Sequence, residues 1–334
     1  MKSHNPRFLF SAAISVAVLF FSTGCITVNE PDRTPYPAVA SENARPVVTD
    51  YQAGRSDLAA RPAEESWDAI LKRRSRIQFQ ILHTGRVKVP RSGMLNLAHE
   101  KLNGQADSEI WVDVFAYHFC HTTRGCFLID SGLDDSFRTG QGGNVTGLLA
   151  SSYIIATEQN EGQDIAALLK TRTHPAQQPL QGVFFTHLHG DHTSGVPALP
   201  KDIRYIAGKD EKYINYFLLY YSDHLAGVKK LEEINFANTP LRAPLGRVVD
   251  LFGDGSFWAI STPGHSNSHV AYLLVTDSGP VLLTGDASHT RWGFENGVEP
   301  GWTDNREQTR QSLEQLRTFA RAYPNVRVIF GHEL

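Results

Sequence analysis

Short runs of bulky apolar residues recur along this 334-residue chain without the polar alternation of a half-exposed strand, and four of them lead into a histidine or an aspartate. "VFF" runs into "THLHGDHTSG", "FWAI" into "STPGH", "PVLL" into "TGD" and "VRVIF" into "GHEL". A strand that is apolar on both faces has to lie between two other layers, so these runs demand sheets covered by helices, an α/β architecture. Further strand-like segments are "IQFQIL", "WVDVFAYHF", "CFLID", "RYIAG" and "VAYLLVT". Helical spacing is found in "GQDIAALLKTR", "KDEKYINYFLLYYSDHL" and "REQTRQSLEQLRTFARAY"; in the last, Leu313, Leu316, Phe319, Ala320 and Tyr323 share one face. The folded body is expected over residues 77–334, with a short helix at "SWDAILKRRSR" just before it and no internal repeat.

The polar ends of these runs need a reason, because charged and imidazole groups set beside a core are costly unless something pairs them. In "THLHGDH", His187 and His189 are two apart, so on extended chain both rings point to one side and close on one cation. Asp191 and His192 are adjacent and diverge, which suits a second, neighbouring cation. His265, Asp286 and His332 follow other apolar runs in matching positions, and the ends of such strands are where α/β folds place ligand sites.

The pattern HxHxDH followed by separate His, Asp and His resembles the metallo-β-lactamase superfamily, over about residues 77–334. The resemblance implies an αββα sandwich with the metal site at one edge of the two sheets. It also implies that His187, His189 and His265 hold one metal, Asp191, His192 and His332 a second, and that Asp286 bridges them. Zinc suits this donor set best, and iron, manganese and cobalt are accepted by similar sites. The bridging aspartate is generally lacking in true β-lactamases and resembles the branch of N-acyl homoserine lactonases and glyoxalase II thioesterases. "SGMLNLAH", "GQDIAALLK" and "VLLTGDAS" lean toward the lactonases. Those enzymes carry a tyrosine three residues after the bridging aspartate, where this chain has His289 in "DASHT". Two roles are open for His289: donating to the substrate carbonyl in place of the phenol, or steadying a ligand. His269, in "GHSNSH", matches a histidine that supports the site in the family without binding metal.

The implied activity is dinuclear metal-dependent opening of a lactone or related carboxylic ester, N-acyl homoserine lactones being one candidate, with Asp191 passing a proton to the leaving alkoxide. A thioesterase, a phosphodiesterase, a β-lactamase-like amidase and a mononuclear-iron sulfur oxygenase are the rival enzymes. A non-catalytic metal-binding surface lipoprotein is the rival of another class.

The remaining histidines, His4, His83, His99, His118, His121, His174 and His224, have no ligand-like setting and are read as surface or hydrogen-bonded structural residues. "RTGQGGNVTG" lacks the Lys-Ser/Thr of a phosphate-binding loop and is read as a loop near the site. The aromatic run Tyr213, Tyr216, Phe217, Tyr220 and Tyr221 packs on the core or walls an apolar pocket suited to an acyl chain. Cys120 and Cys126 face each other across the hairpin of "HFCHTTRGCFLID", as a disulfide or as buried thiols.

The first 24 residues are of another kind. Lys2 and Arg7 precede a mostly apolar run, Phe8 to Phe21, followed by "STG" and Cys25, the order of an export signal. The run is short for a bilayer crossing, which takes about 20 residues. "FSTGC" resembles the lipobox of bacterial lipoproteins, with Ser22 where that family usually has leucine, and implies a lipidated Cys25. The body would then sit in the cell envelope facing the periplasm or the exterior, and Ile26 in place of an aspartate points to the outer membrane. Residues 26–76, rich in Pro, Ala, Arg, Asp and Ser, read as a tether. Without residues 1–24 the chain has 30 Lys+Arg against 35 Asp+Glu, a net charge of −5 that speaks against a nucleic-acid partner.

Overall fold

The structure is a computed structural model that describes residues 31–36, 66–140, 142–171, 178–213, 220 and 222–334. The export signal over 1–24, Cys25, His4, His174, Tyr216, Phe217 and Tyr221 lie outside the described residues.

Strands β1 (Asp32–Pro35), β2 (Ile77–Pro90), β3 (Glu109–His121), β4 (Gly125–Ile129), β6 (Leu180–Phe184), β7 (Arg204–Gly208) and β8 (Lys230–Ile234) form one half of the sheet system, with β5 (Ala156–Glu158) added to β2. The other half holds β9 (Val248–Asp250), β10 (Phe257–Ser261), β11 (Val270–Thr276), β12 (Gly279–Leu283) and β13 (Arg327–Ile329). A single register pair, Ile77 with Thr276, joins β2 to β11 and links the halves. The helices are α1 (Trp67–Leu71), α2 (Arg91–Met94), α3 (Ala150–Tyr153), α4 (Ile165–Thr171), α5 (Gly190–Thr193), α6 (Arg291–Asn296) and α7 (Arg306–Ala322).

The two halves stack face to face. Phe119, Phe127, Phe184 and Ile206 from the first half pack into one cluster with Phe257, Tyr272, Leu274 and Leu283 from the second. The alternate residues of the same strands face outward onto helices: Trp258, Ile260, Leu273 and Leu282 meet Leu313, Leu316 and Phe319 of α7 and Trp67 of α1, while Leu128, Val183 and Phe185 meet Ile165 of α4. Both faces of each central strand are therefore buried, which is why these strands lack polar alternation. The result is the αββα sandwich expected from the sequence. Each fully buried Phe or Leu contributes about 1.5–3 kcal/mol, so a polar substitution at Phe184, whose exposure is 0%, would unseat the layer. Helix α7 starts where the Asn305 side chain accepts from the Gln308 amide and stops before Pro324.

Three expectations are corrected. Parts of the stretch read as a tether, 26–76, belong to the body: β1 pairs in parallel with β8, Tyr36 enters the inter-sheet core, and Trp67 and Ile70 lie under α7. Burial of these apolar side chains outweighs the composition that suggested a free linker. The strand read as "IQFQIL" continues to Pro90, crossing an irregularity between His83 and Gly85. Helical spacing over "KDEKYINYFLLYYSDHL" is not followed by its described ends, since residues 209–213 and 222–223 are not helical. There Asp210 adopts φ 60° and the Glu211 carboxylate is drawn inward to accept from the Ser268 amide at 2.8 Å, which turns the chain away from a helix.

Candidate metal centre

β6 ends at Phe184, and residues 185–189, with a bend at Thr186, lead from it into α5. His189 caps α5, so Asp191 and His192 sit on a helical turn just beyond the strand end. His265 follows β10, Asp286 follows β12 and His332 follows β13. All seven sequence-predicted ligands converge here. His187, His189 and His265 offer one group of ligand atoms within 4.8 Å of one another, and Asp191, His192, Asp286 and His332 offer another.

One atom joins the groups. Asp286 Oδ2 lies 3.7 Å from His187 Nε2, 3.4 Å from His265 Nε2, 3.4 Å from His192 Nε2, 3.5 Å from His332 Nε2 and 3.1 Å from His289 Nε2. Within the first group, His265 Nε2 is 3.2 Å from His187 Nε2 and 3.0 Å from His189 Nδ1. Within the second, Asp191 Oδ2 is 3.4 Å from His332 Nε2. Two donors about 2.0–2.1 Å from one zinc stand about 3–3.4 Å apart, so these spacings are those of ligands sharing a cation.

The tautomers agree. His265 Nδ1 donates to the Trp302 carbonyl at 2.9 Å, His332 Nδ1 to the Asp113 carbonyl at 2.8 Å and His192 Nδ1 to Asp130 Oδ2 at 2.8 Å. His187 Nδ1 lies 3.1 Å from Thr186 Oγ1, which itself donates to Asp130. In its neutral form each of these rings turns a bare Nε2 toward Asp286, the arrangement of metal-ligating histidines whose other nitrogen is held by a carbonyl, hydroxyl or carboxylate. Among the described residues His192 Nε2, His289 Nε2 and Asp286 Oδ1 are buried without a hydrogen-bond partner. Buried acceptors left facing one another need a cation, and the donor set fits two divalent metals.

Charge in the cluster is unevenly shared. Burial, reinforced by neighbouring imidazoles, holds His187 and His265 well below the ordinary histidine value. Burial also disfavours the charged form of His192, but Asp286, Asp191 and Asp130 outweigh it and hold it well above that value. Burial opposes charge at His332 as well, yet Asp286 and Asp191 raise it to about 8. Asp286 is buried, but His289, His192 and His332 keep it well below the carboxylate range.

His269 supports the cluster from outside: Nε2 accepts from the Asp286 amide at 2.9 Å, Nδ1 is 2.8 Å from Thr262 Oγ1, and burial pushes the ring down to about 3. This close approach requires a glycine at 285, where φ is +49° and a Cβ would stand 2.7 Å from His269 Nε2. His289 is buried with Nδ1 donating to the Met94 carbonyl at 3.1 Å. A neutral His289 therefore has no N–H left for a substrate carbonyl, which weighs against the donor role read from its position.

The sequence reading missed Asp130. It ends "CFLID" in the same setting as Asp286, is buried at φ 55°, and accepts from His192, the Thr186 amide and the Thr186 hydroxyl. That shared setting was the available signal. His224, read as structural, is buried 2.8 Å from Thr193 Oγ1 beneath α5, and His121 pairs with Asp254 at 2.9 Å. Cys120 and Cys126 are joined in a disulfide. Of the glycine-rich loop, Asn144 donates to the Ser194 carbonyl and Val145 abuts Gly190, so the loop does lie against the motif. Tyr220 borders Gly190 and meets Tyr153 at 5.5 Å, and Tyr153 meets Trp302 at 5.4 Å, an aromatic surface beside the ligands.

The model of the metallo-β-lactamase superfamily matches residues 110–332. The chain belongs to that superfamily. The N-acyl homoserine lactonase AttM of Azorhizobium caulinodans is 27% identical over 263 residues, which are 77% of this chain and 93% of that protein. An N-acyl homoserine lactonase of a Bacillus species is 25% identical over 252 residues, 73% of this chain and 91% of the relative. Among solved structures, an N-acyl homoserine lactone hydrolase with the product N-hexanoyl-L-homoserine at its catalytic metal centre superposes with a TM-score of 0.60 at 22% identity, over 78% of this chain and 95% of that one. At this identity the superposition establishes the superfamily fold.

Proposed function

We propose that this chain is a dinuclear metal-dependent hydrolase that opens N-acyl homoserine lactones or closely related lactones. The observation that carries it is the single oxygen, Asp286 Oδ2, shared by two ligand groups at the strand ends. Similarity to two lactonases over 93% and 91% of their lengths supports the substrate class. The surface of Tyr153, Tyr220 and Trp302 supports an acyl chain. His187, His189 and His265 would hold one metal, Asp191, His192 and His332 the other, with Asp286 between them; zinc suits the donors best.

Bound metals supply a water-derived nucleophile at neutral pH and polarise the lactone carbonyl. The chain's own residues do the rest. Asp191 is the more exposed of the two ligand carboxylates, its side chain 24% exposed against 4% for Asp286, and is placed to take up the proton that the attacking water gives up and to pass it to the departing alkoxide. Asp130, Trp302 and Asp113 fix the imidazole tautomers so that no ring reorients during turnover.

The test is acid release from short- and long-chain N-acyl homoserine lactones by zinc-loaded protein lacking residues 1–25. His187→Ala and Asp286→Ala should each abolish it together with bound metal. No release from fully metallated protein would overturn the lactonase reading and move the search to thioesters and phosphodiesters.

We further infer attachment to the cell envelope through a lipidated Cys25. The charged-then-apolar order of residues 1–24 supports it, as does the Cys120–Cys126 disulfide, which suits an oxidising compartment. β1 begins seven residues after Cys25, a chain reach of about 25 Å at most, so the β1–β8 edge would lie near the membrane. Cys25→Ser should move the protein from the membrane pellet to the soluble fraction; an unchanged distribution would refute the attachment.

A further inference from the structure

His289 is the histidine of the cluster that the two-metal ligand pattern does not use. Its Nδ1 lies 3.1 Å from the Met94 carbonyl, which only accepts, so Nδ1 carries a proton and the neutral ring presents a bare Nε2. That nitrogen reaches the cluster: His265, Asp286 and His289 offer ligand atoms all within 4.8 Å of one another.

An imidazolium gripping Asp286 would be the simple alternative. The geometry speaks against it. Asp286 Oδ2 is 3.1 Å from Nε2, yet the buried Nε2 has no hydrogen-bond partner among the described residues, so the oxygen lies off the direction in which an N–H would point. His192 Nε2 has the same signature, being partnerless although Asp286 Oδ2 is 3.4 Å away. Two acceptors at such a distance, both buried, are stable around a shared cation that need not lie on the line between them.

We propose that His289 is itself a metal ligand, binding through Nε2 an ion that it shares with His265 and Asp286. The proposal rests on the dinuclear reading above. It adds a sixth imidazole to the five of the dinuclear set, His187, His189, His265, His192 and His332. With Nδ1 on the Met94 carbonyl and Nε2 on metal, His289 donates nothing to substrate, and its effect on catalysis runs through the metal.

The experiment uses the full-length protein labelled with 15N-histidine and loaded with 113Cd. Six imidazoles with cadmium-coupled nitrogen, one of them lost in His289→Gln, are expected. Five coupled imidazoles with two cadmium ions bound overturn the proposal and leave the dinuclear site standing. Fewer than two bound ions overturn both. On the cobalt-loaded protein, His289→Gln should intensify the visible absorption as coordination number falls, and weaken one of the two metal affinities by about tenfold or more. Unchanged spectrum and affinity would equally refute the assignment.

Discussion

His192 Nδ1 donates to the buried carboxylate of Asp130 across 2.8 Å, and that one bond fixes which ring nitrogen faces Asp286. The same carboxylate takes the Thr186 amide at 2.8 Å and hydroxyl at 2.9 Å, so it also pins the start of the HxHxDH segment. Asp130→Asn should keep the shape and lose the negative charge behind His192. Metal affinity is expected to fall about 10–100-fold, read by chelator competition. Affinity equal to the wild type would show that the ring is oriented without Asp130.

Gly331 stands against the shared aspartate. A Cβ there would lie 2.2 Å from Asp286 Oδ1 and 3.0 Å from the Gly285 carbonyl, so Gly331→Ala has to push the carboxylate or the β13 end aside. Weaker metal binding is expected, with a stability loss of about 1–3 kcal/mol in thermal melts. A variant that binds metal and melts normally would contradict this packing.

Glu211 is fully buried, and burial pushes its carboxyl up from 4.5 to about 7 against the opposing Ser268 amide bond. The folded protein then keeps a proton that the unfolded chain releases. This contribution is whole below about pH 4.5, declines as pH rises to about 7, and amounts to about 3 kcal/mol. Glu211→Gln should flatten the fall in melting temperature between pH 5 and 8. An equally steep fall in the variant would assign the slope to another group.

The Cys120–Cys126 bridge spans a sequence separation of 6 and lies at the hairpin end of β3 and β4, opposite the end that leads to Asp130. Closing so short a loop is worth about 2 kcal/mol. Cys120→Ser with Cys126→Ser should lower the denaturant midpoint accordingly while metal content stays the same. A loss of metal in the double variant would reveal a coupling that the distance between hairpin and site does not suggest.

Much of this protein is legible in its sequence. Strands such as "VAYLLVT" are apolar on both faces because Tyr272 meets one layer and Leu273 the other, and that pattern alone dictates a buried sheet. The seven ligand candidates could be named because imidazoles and carboxylates at strand ends next to a core need a partner. What only the tertiary structure decided depends on groups distant in sequence. Asp130 reaches His192 across 62 residues, and Met94 takes His289 Nδ1 across 195. Tyr36 fills the inter-sheet core from a segment whose composition suggested a free tether. Composition and periodicity report which faces must leave water; the direction in which a buried nitrogen points is set by whichever acceptor the folded chain brings to its other side.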